Sequence, residues 1–165
     1  MIKASVRINC PIDIVWNYFL TPSNWEKWWG GKIKKVVPRW QENCEIEWGS
    51  GEVSRIIVFS PKNVVVISGA WMDTTYNFQA VGNTETIVEI IEKPKRGAYF
   101  TDGGLAERIR LESSLQKLKM LIEEESTEIR IFESIKDVFK KLWNKIFQNK
   151  GSFRHEYLEL FKKNF

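Results

Sequence analysis

Histidine is nearly missing from this chain: among 165 residues there is one, His155. A Ser-His-Asp or Cys-His relay needs an imidazole beside its nucleophile, so no such machine is expected in the body of the protein. Cysteine is almost as scarce, with Cys10 and Cys44 only, and no CxxC pair exists to hold structural zinc. In HEYLE, residues 155–159, a glutamate stands where a zinc protease needs its second histidine, so His155 and Glu159 would offer two ligands at most. The segment GSGEVS, residues 49–54, lacks the last glycine of a dinucleotide fingerprint and falls in a hairpin, and no Walker-type phosphate loop is present. No catalytic residue, metal or cofactor is therefore assigned. Asp73, Tyr76, Glu89 and Tyr99 have the chemistry for acid–base work, but nothing in the sequence pairs them. No run approaches the roughly 18 apolar residues of a membrane-spanning helix. The start, MIKASVRIN, has no basic stretch followed by an apolar one, so no secretory signal is expected. Two reduced thiols then fit a cytoplasmic protein.

Charge of one sign is also lacking over most of the chain. Residues 1–125 hold 16 Lys/Arg and 16 Asp/Glu, and the whole excess of +4 lies in the last 40 residues. With no basic stripe interleaved with aromatics in the main body, a nucleic-acid partner is not expected. Aromatics, by contrast, reach 13%, which suggests a large core or an aromatic-lined cavity. Three of the eight tryptophans fall in NWEKWWGG, residues 24–31.

The order of elements follows from spacing and punctuation. Residues 3–9 alternate like a strand. PIDIVWNYFL, residues 11–20, places Ile12, Val15, Trp16, Phe19 and Leu20 at helical spacing. Thr21-Pro22-Ser23-Asn24 breaks that helix and starts a short second one carrying Trp25, Trp28 and Trp29, which Gly30-Gly31 ends. Short segments rich in Val, Ile, Thr, Phe and Trp then predict strands near 32–38, 43–48, 52–60, 63–70, 74–81 and 84–92. Gly82-Asn83 suits a two-residue hairpin. After a loop over 94–104, Leu105, Ile109, Leu111, Leu115, Leu118 and Ile122 predict a long helix over 105–125. One helix does not cover seven flat strands. A curved sheet wrapped around it does, and leaves space for a cavity. The expected fold is thus α+β, about seven antiparallel strands gripping a long helix.

The run SVRINCPIDIVWNYFLTPSNWEKWWGG resembles the opening of the helix-grip superfamily that includes START and Bet v-type proteins (SRPBCC), and most of all its branch of activator of heat-shock-protein ATPase (AHSA) homologues. The residues that carry the resemblance are Val15-Trp16, Thr21-Pro22 (with no spacer between them), Trp28-Trp29-Gly30, the turn before Glu52-Val53, Ser60-Pro61 and Gly103-Gly104. It covers residues 1–125 and leaves 126–165 outside as a helical extension. The superfamily's functions span lipid carriers, hormone receptors, polyketide cyclases and co-chaperone domains, so the resemblance implies the fold more sharply than the function.

Candidate ligand contacts follow from strand parity. Cys44, Ile46 and Trp48 share one face, and Tyr76, Phe78 and Ala80 another. With Phe59 and Trp71 these would border an internal space of a few hundred Å3. Trp28 and Trp29 stand at its rim, as core plugs or as a gate. Arg55 shares its parity with Phe59. Facing inward it would anchor an acidic head group; facing outward it is an ordinary surface cation.

The tail carries Ile131, Phe132, Ile135, Val138, Phe139, Leu142, Trp143, Ile146 and Phe147 on one stripe, mostly opposite Lys136, Lys140, Lys141 and Lys145. This predicts a helix over 129–147 whose apolar face is buried in the same chain or in a second copy. A partner-protein groove and peripheral contact with an anionic membrane are the other readings. A last short helix is expected near 153–163. Glu123-Glu124-Glu125 is unfavourable at a helix C-terminus, which favours a long helix running on past Ser126. The leading functional reading is a non-enzymatic carrier or binding module for a small hydrophobic molecule, a lipid or a polyketide-like aromatic. A cyclase-type enzyme and a co-chaperone-like interaction domain are the alternatives.

Overall fold

The computed structural model describes residues 1–95 and 101–147. Strand β1 (Ile2–Ile8) leads into helices α1 (Ile12–Leu20) and α2 (Pro22–Trp28). Six strands follow: β2 (Ile33–Val37), β3 (Glu45–Trp48), β4 (Val53–Ser60), β5 (Val64–Ser68), β6 (Met72–Val81) and β7 (Glu85–Pro94). A single 3-10 turn at Thr101–Gly104 precedes helix α3 (Leu105–Phe147). By packing, the chain divides into two units, Met1–Ser126 and Thr127–Phe165.

All seven strands belong to one antiparallel sheet in the order β1-β7-β6-β5-β4-β3-β2. The strands β2 to β7 are joined by hairpins, so each lies beside its sequence neighbour, and β1 closes the far edge on β7. The β6–β7 loop is three residues, Gly82 to Thr84, because Val81 pairs with Glu85; it is one longer than the Gly-Asn signal predicts. Gly82 still supplies the positive φ, 62°, that the turn requires.

One face of this curved sheet is apolar. Along β1 the alternation is strict, with Ile2, Ala4, Val6 and Ile8 buried and the residues between them exposed. In the first unit α3 answers this face with Leu111, Leu115, Leu118 and Ile122, all at 1% exposure or less. Leu105 and Ile109, expected on the same stripe, are exposed instead. The stripe that is buried begins only at Leu111 and runs through Ser114, Leu115, Leu118, Ile122 and Ser126, and it leaves those two outside it.

Polar contacts fix the helix against β1. Glu123 Oε1 accepts from the Asn9 N–H at 2.7 Å and pairs with Lys119 at 3.0 Å. Burial alone would raise the Glu123 pKa, but the Asn9 N–H and Lys119 outweigh it and hold the carboxyl below its usual range. Lys119 Nζ also donates to the Arg7 carbonyl at 2.7 Å. Cys10 is fully buried, with its Sγ 3.1 Å from Ser126 Oγ; Cys44 is equally buried, and both thiols are free.

In the second unit, α3 continues to Phe147. Ile131, Phe132, Ile135, Val138, Phe139 and Leu142 are each half or more exposed. The expectation that Ile135, Phe139 and Leu142 are buried within the chain is therefore not met. Nothing on the helix's outer side is long enough to cover them among the described residues, so the stripe keeps its helical spacing without a cover. Helix 153–163, His155 and Glu159 lie outside the described residues, as do Tyr99 and the side chains of Ile146 and Phe147.

Candidate ligand-binding pocket

The tryptophan-rich segment sorts into a plug and a rim. Thr21 breaks the chain between α1 and α2, with its Oγ1 donating to Asn17 O at 2.8 Å and Asn24 Nδ2 donating to Tyr18 O at 3.2 Å. The short α2 then turns Trp25 and Trp28 inward, at 0% and 1% exposure. Trp25 is the centre of the plug. Its Nε1 donates to Phe19 O at 2.6 Å, and its ring lies 4.8 to 6.2 Å from those of Phe19, Trp28, Trp29, Trp40, Trp48 and Tyr76. Such tilted and edge-on pairs add to the area they bury. Trp40, from the loop after β2, joins this cluster; no periodic signal in the sequence places it there. A second aromatic group, Trp16 with Phe19, Phe59 and Phe78, fills the space under α1 at centroid distances of 5.1 to 5.9 Å.

Beside the plug lies a cavity of about 590 Å3, bounded by the end of α2, the β3–β4 hairpin and the β5–β6 turn. Trp29, Trp48, Trp71 and Tyr76 line it. Trp48 is fixed by its Nε1, which donates to Ser54 Oγ at 2.9 Å. Trp71 is 72% exposed and stands at the mouth. Of the remaining residues expected at the ligand, Trp28, Phe59 and Phe78 belong to the packed core and do not reach the cavity wall.

Arg55 faces outward. It is exposed and pairs with Glu45 across the β3–β4 ladder at 3.3 Å. The parity it shares with Phe59 misleads because β4 carries a bulge between Ile56 and Val58. One extra residue there moves every later side chain to the opposite face. Ser54 and Ile56 face inward before the bulge, and Phe59 does so after it. Ala80, expected inward with Tyr76 and Phe78, lies near the end of β6 and is exposed.

The polar centre of the cavity is one that the sequence reading missed. On β7 the inward positions are Thr86, Val88, Ile90 and Glu92, so the strand's own alternation carries a carboxylate into the interior at 2% exposure. Arg110 stands in the second turn of α3, with its side chain 42% exposed. Its Nη2 donates to Glu92 Oε1, and its guanidinium carbon stands 4.8 Å from the centre of the Trp29 ring. The ion pair and the cation–π contact tie α3 to two residues of the cavity wall, Glu92 and Trp29. Glu92 lines the cavity, and its second oxygen, Oε2, has no hydrogen-bond partner. Tyr76, one β-ladder row away, is fully buried. Burial first, and then the Glu92 carboxylate, push its phenol well above the usual value against the pull of Arg110, so it stays protonated. Among the described residues, three glutamates, Glu26, Glu52 and Glu92, line the cavity against one lysine, Lys32.

No family model matches the chain, and no curated protein sequence matches it. Solved structures do match. The protein SSP2350 from Staphylococcus saprophyticus is 17% identical, with a TM-score of 0.59 over 74% of this chain and 90% of that one. CalU16 from Micromonospora echinospora is 19% identical, with a TM-score of 0.55 over 73% and 72%. The Aha1 dimer from Colwellia psychrerythraea is 16% identical, with a TM-score of 0.57 over 74% and 95%. At such identities the likeness speaks to the fold, and that fold is the helix grip: a curved seven-stranded antiparallel sheet with a long C-terminal helix.

Proposed function

We propose that the first unit, the helix-grip domain of residues 1–125, is a non-enzymatic binding or carrier module for a small hydrophobic molecule, held in the cavity between α2, β3–β4 and β5–β6. The observation that carries this reading is the cavity itself. Its volume of about 590 Å3 lies in the range of small-molecule sites, and three tryptophans and a tyrosine line it. Flat aromatic or lipid-like ligands are expected to quench tryptophan fluorescence saturably at micromolar concentration, because Trp29, Trp48 and Trp71 all border the space. A flat response across a broad panel would refute this reading and leave a co-chaperone-like interaction domain as the better one.

One observation favours a second reading, a cyclase-type enzyme. Tyr76 and Glu92 are both ionisable and line the same cavity, so a proton donor and a carboxylate stand within reach of one bound molecule. Turnover of a polyketide-like substrate by the wild type but not by Tyr76→Phe, followed by mass spectrometry, would establish it. Binding without turnover leaves the carrier reading in place.

The second unit supports assembly. Its exposed stripe from Ile131 to Leu142 is longer than a surface in water usually shows, and its charges are sorted along the helix. Glu123, Glu124, Glu125 and Glu128 precede it and Glu133 lies near its start, with Arg130 among them, while Lys136, Lys140, Lys141 and Lys145 gather toward its end, with Asp137 among them. Two copies laid antiparallel along the stripe bring the acidic half of each beside the basic half of the other. A second copy is therefore the proposed partner of residues 129–147. The helix-grip relative from Colwellia psychrerythraea is itself a dimer. No described helix is long and apolar enough to cross a membrane.

A further inference from the structure

The polarity of the cavity narrows the ligand. This step rests on the binding reading above and adds the chemistry of the bound molecule. A buried carboxylate normally satisfies both oxygens, because an unpaired buried acceptor costs its full desolvation. In Glu92 only Oε1 is satisfied, by Arg110, while Oε2 is unpartnered and the side chain is 3% exposed. Glu92 is at the same time part of the cavity wall. Its inward direction is fixed by the ladder, since Thr74 on β6 stands opposite it and the residues on either side of it face outward. Arg110 also lies over the Trp29 ring, and in this arrangement it reaches Oε1 alone. A buried acceptor oxygen is thus held by a residue of the cavity wall, with its usual partner already spent on the other oxygen. Glu26 and Glu52 add negative charge to the same wall, against Lys32 alone among the described residues.

We infer that the cavity selects an apolar, flat molecule bearing a hydrogen-bond donor, an O–H or a protonated amine, which pairs with Glu92 Oε2, and that it rejects carboxylates. This inverts the expectation of an arginine anchoring an acidic head group, and it sets simple fatty acids aside as ligands. A donor to a charged acceptor accounts for about 10- to 100-fold in affinity. A carboxylate ligand would instead face Oε2 with like charge.

Calorimetric titration of the full chain with four matched probes tests this: 2-naphthalenemethanol, 2-naphthalenemethylamine, the methyl ether of the first, and 2-naphthoate. The alcohol and the amine are expected to bind at least about tenfold tighter than the ether, with naphthoate the weakest. Glu92→Gln keeps the shape and places an amide N–H where Oε2 stood, so it should weaken the alcohol and the amine and strengthen naphthoate. Circular dichroism melting checks that this variant is folded, and the wild-type series stands without it. Equal binding of all four, as expected if Oε2 is served by an internal water, or preference for naphthoate, overturns this inference while leaving the cavity a binding site. Failure of all four to bind overturns both.

Discussion

Trp71 and Trp25 show how far apart two tryptophans of one cluster stand in consequence. Trp71 is largely exposed at the cavity mouth. Trp71→Ala should change stability by no more than about 0.5 kcal/mol, as surface changes do, yet weaken quenching by aromatic ligands. Equal affinity in the variant would remove Trp71 from the site. Glu123 gives a second test at this scale, through pH. Its carboxyl is held below its usual range in the folded chain by the Asn9 N–H and Lys119. A depressed carboxyl pKa adds stability that is fully present above the unfolded value and is lost as pH falls through the folded one. Glu123→Gln should therefore be less stable than the wild type near neutrality, by about 1 kcal/mol. The gap should close in acid, below the usual carboxylate range. Urea titrations at several pH values measure it, and a gap that persists in acid would mean that the variant acts through packing. Neither role is legible in the sequence. Glu123 reads there as one of three glutamates bearing on where a helix ends, and Trp71 as one more inward aromatic. Arg55 is the sharper lesson, since parity counting places it with Phe59 and only the bulge between Ile56 and Val58 separates them. A bulge leaves no fixed mark in a run such as Arg55-Ile56-Ile57-Val58-Phe59.

The α1–α2 corner is the element whose loss the fold can least absorb. Trp25 ties the two helices through its bond to Phe19 O and touches six aromatic rings, one of them on β3 and one on β6. Trp25→Ala should cost about 3–5 kcal/mol, a large share of a typical domain's total, with Trp25→Phe losing less. Denaturant unfolding decides this, and a loss under about 1 kcal/mol would mean that the corner repacks freely. This element was readable because its signals agree: the helical spacing from Ile12 to Leu20, the Thr21-Pro22 break and the Gly30 stop, where φ is 81°. The strands were readable for the same reason, from turn residues set between short β-branched runs. Glu92 and Arg110 were not. In ETIVEIIE both parities of β7 carry two branched residues and at least one glutamate or threonine, so alternation alone does not say which face is inside. That choice is made by the pairing of β7 with β1 and β6. Arg110 sits between Ile109 and Leu111 and is 42% exposed, so it reads as a surface cation, and only its contacts with Glu92 and Trp29 show otherwise.

The molecule as a whole joins a closed domain to a helix that is unfinished alone. In the first unit the apolar faces of the sheet, α1, α2 and α3 are spent on one another. In the second, Ile131, Phe132, Ile135, Val138, Phe139 and Leu142 have no such cover among the described residues. Burying a large apolar side chain contributes about 1.5–3 kcal/mol, so covering even part of this stripe outweighs the loss of freedom on pairing two preformed helices. The full chain is therefore expected to be a dimer at micromolar concentration by analytical ultracentrifugation, and a chain ending at Ser126 a monomer of unchanged melting temperature that still binds the cavity ligand. Phe139→Glu sets a charge in the middle of the stripe and should give monomers without affecting ligand binding. The sorted charges predict the direction of pairing as well. Reversing Lys140 and Lys141 to glutamate brings like charges together in an antiparallel pair and should weaken the dimer, and reversing Glu128 and Glu133 to lysine in the same chain should restore it. In a parallel pair each half faces its own copy, so like charges meet before and after either reversal, and neither pair of changes should move the dimer affinity much. If instead the full chain is monomeric and binds anionic vesicles while the chain ending at Ser126 does not, the lysines serve a lipid surface rather than a second copy. The stripe then lies in the headgroup layer with Lys136, Lys140 and Lys141 against the phosphates.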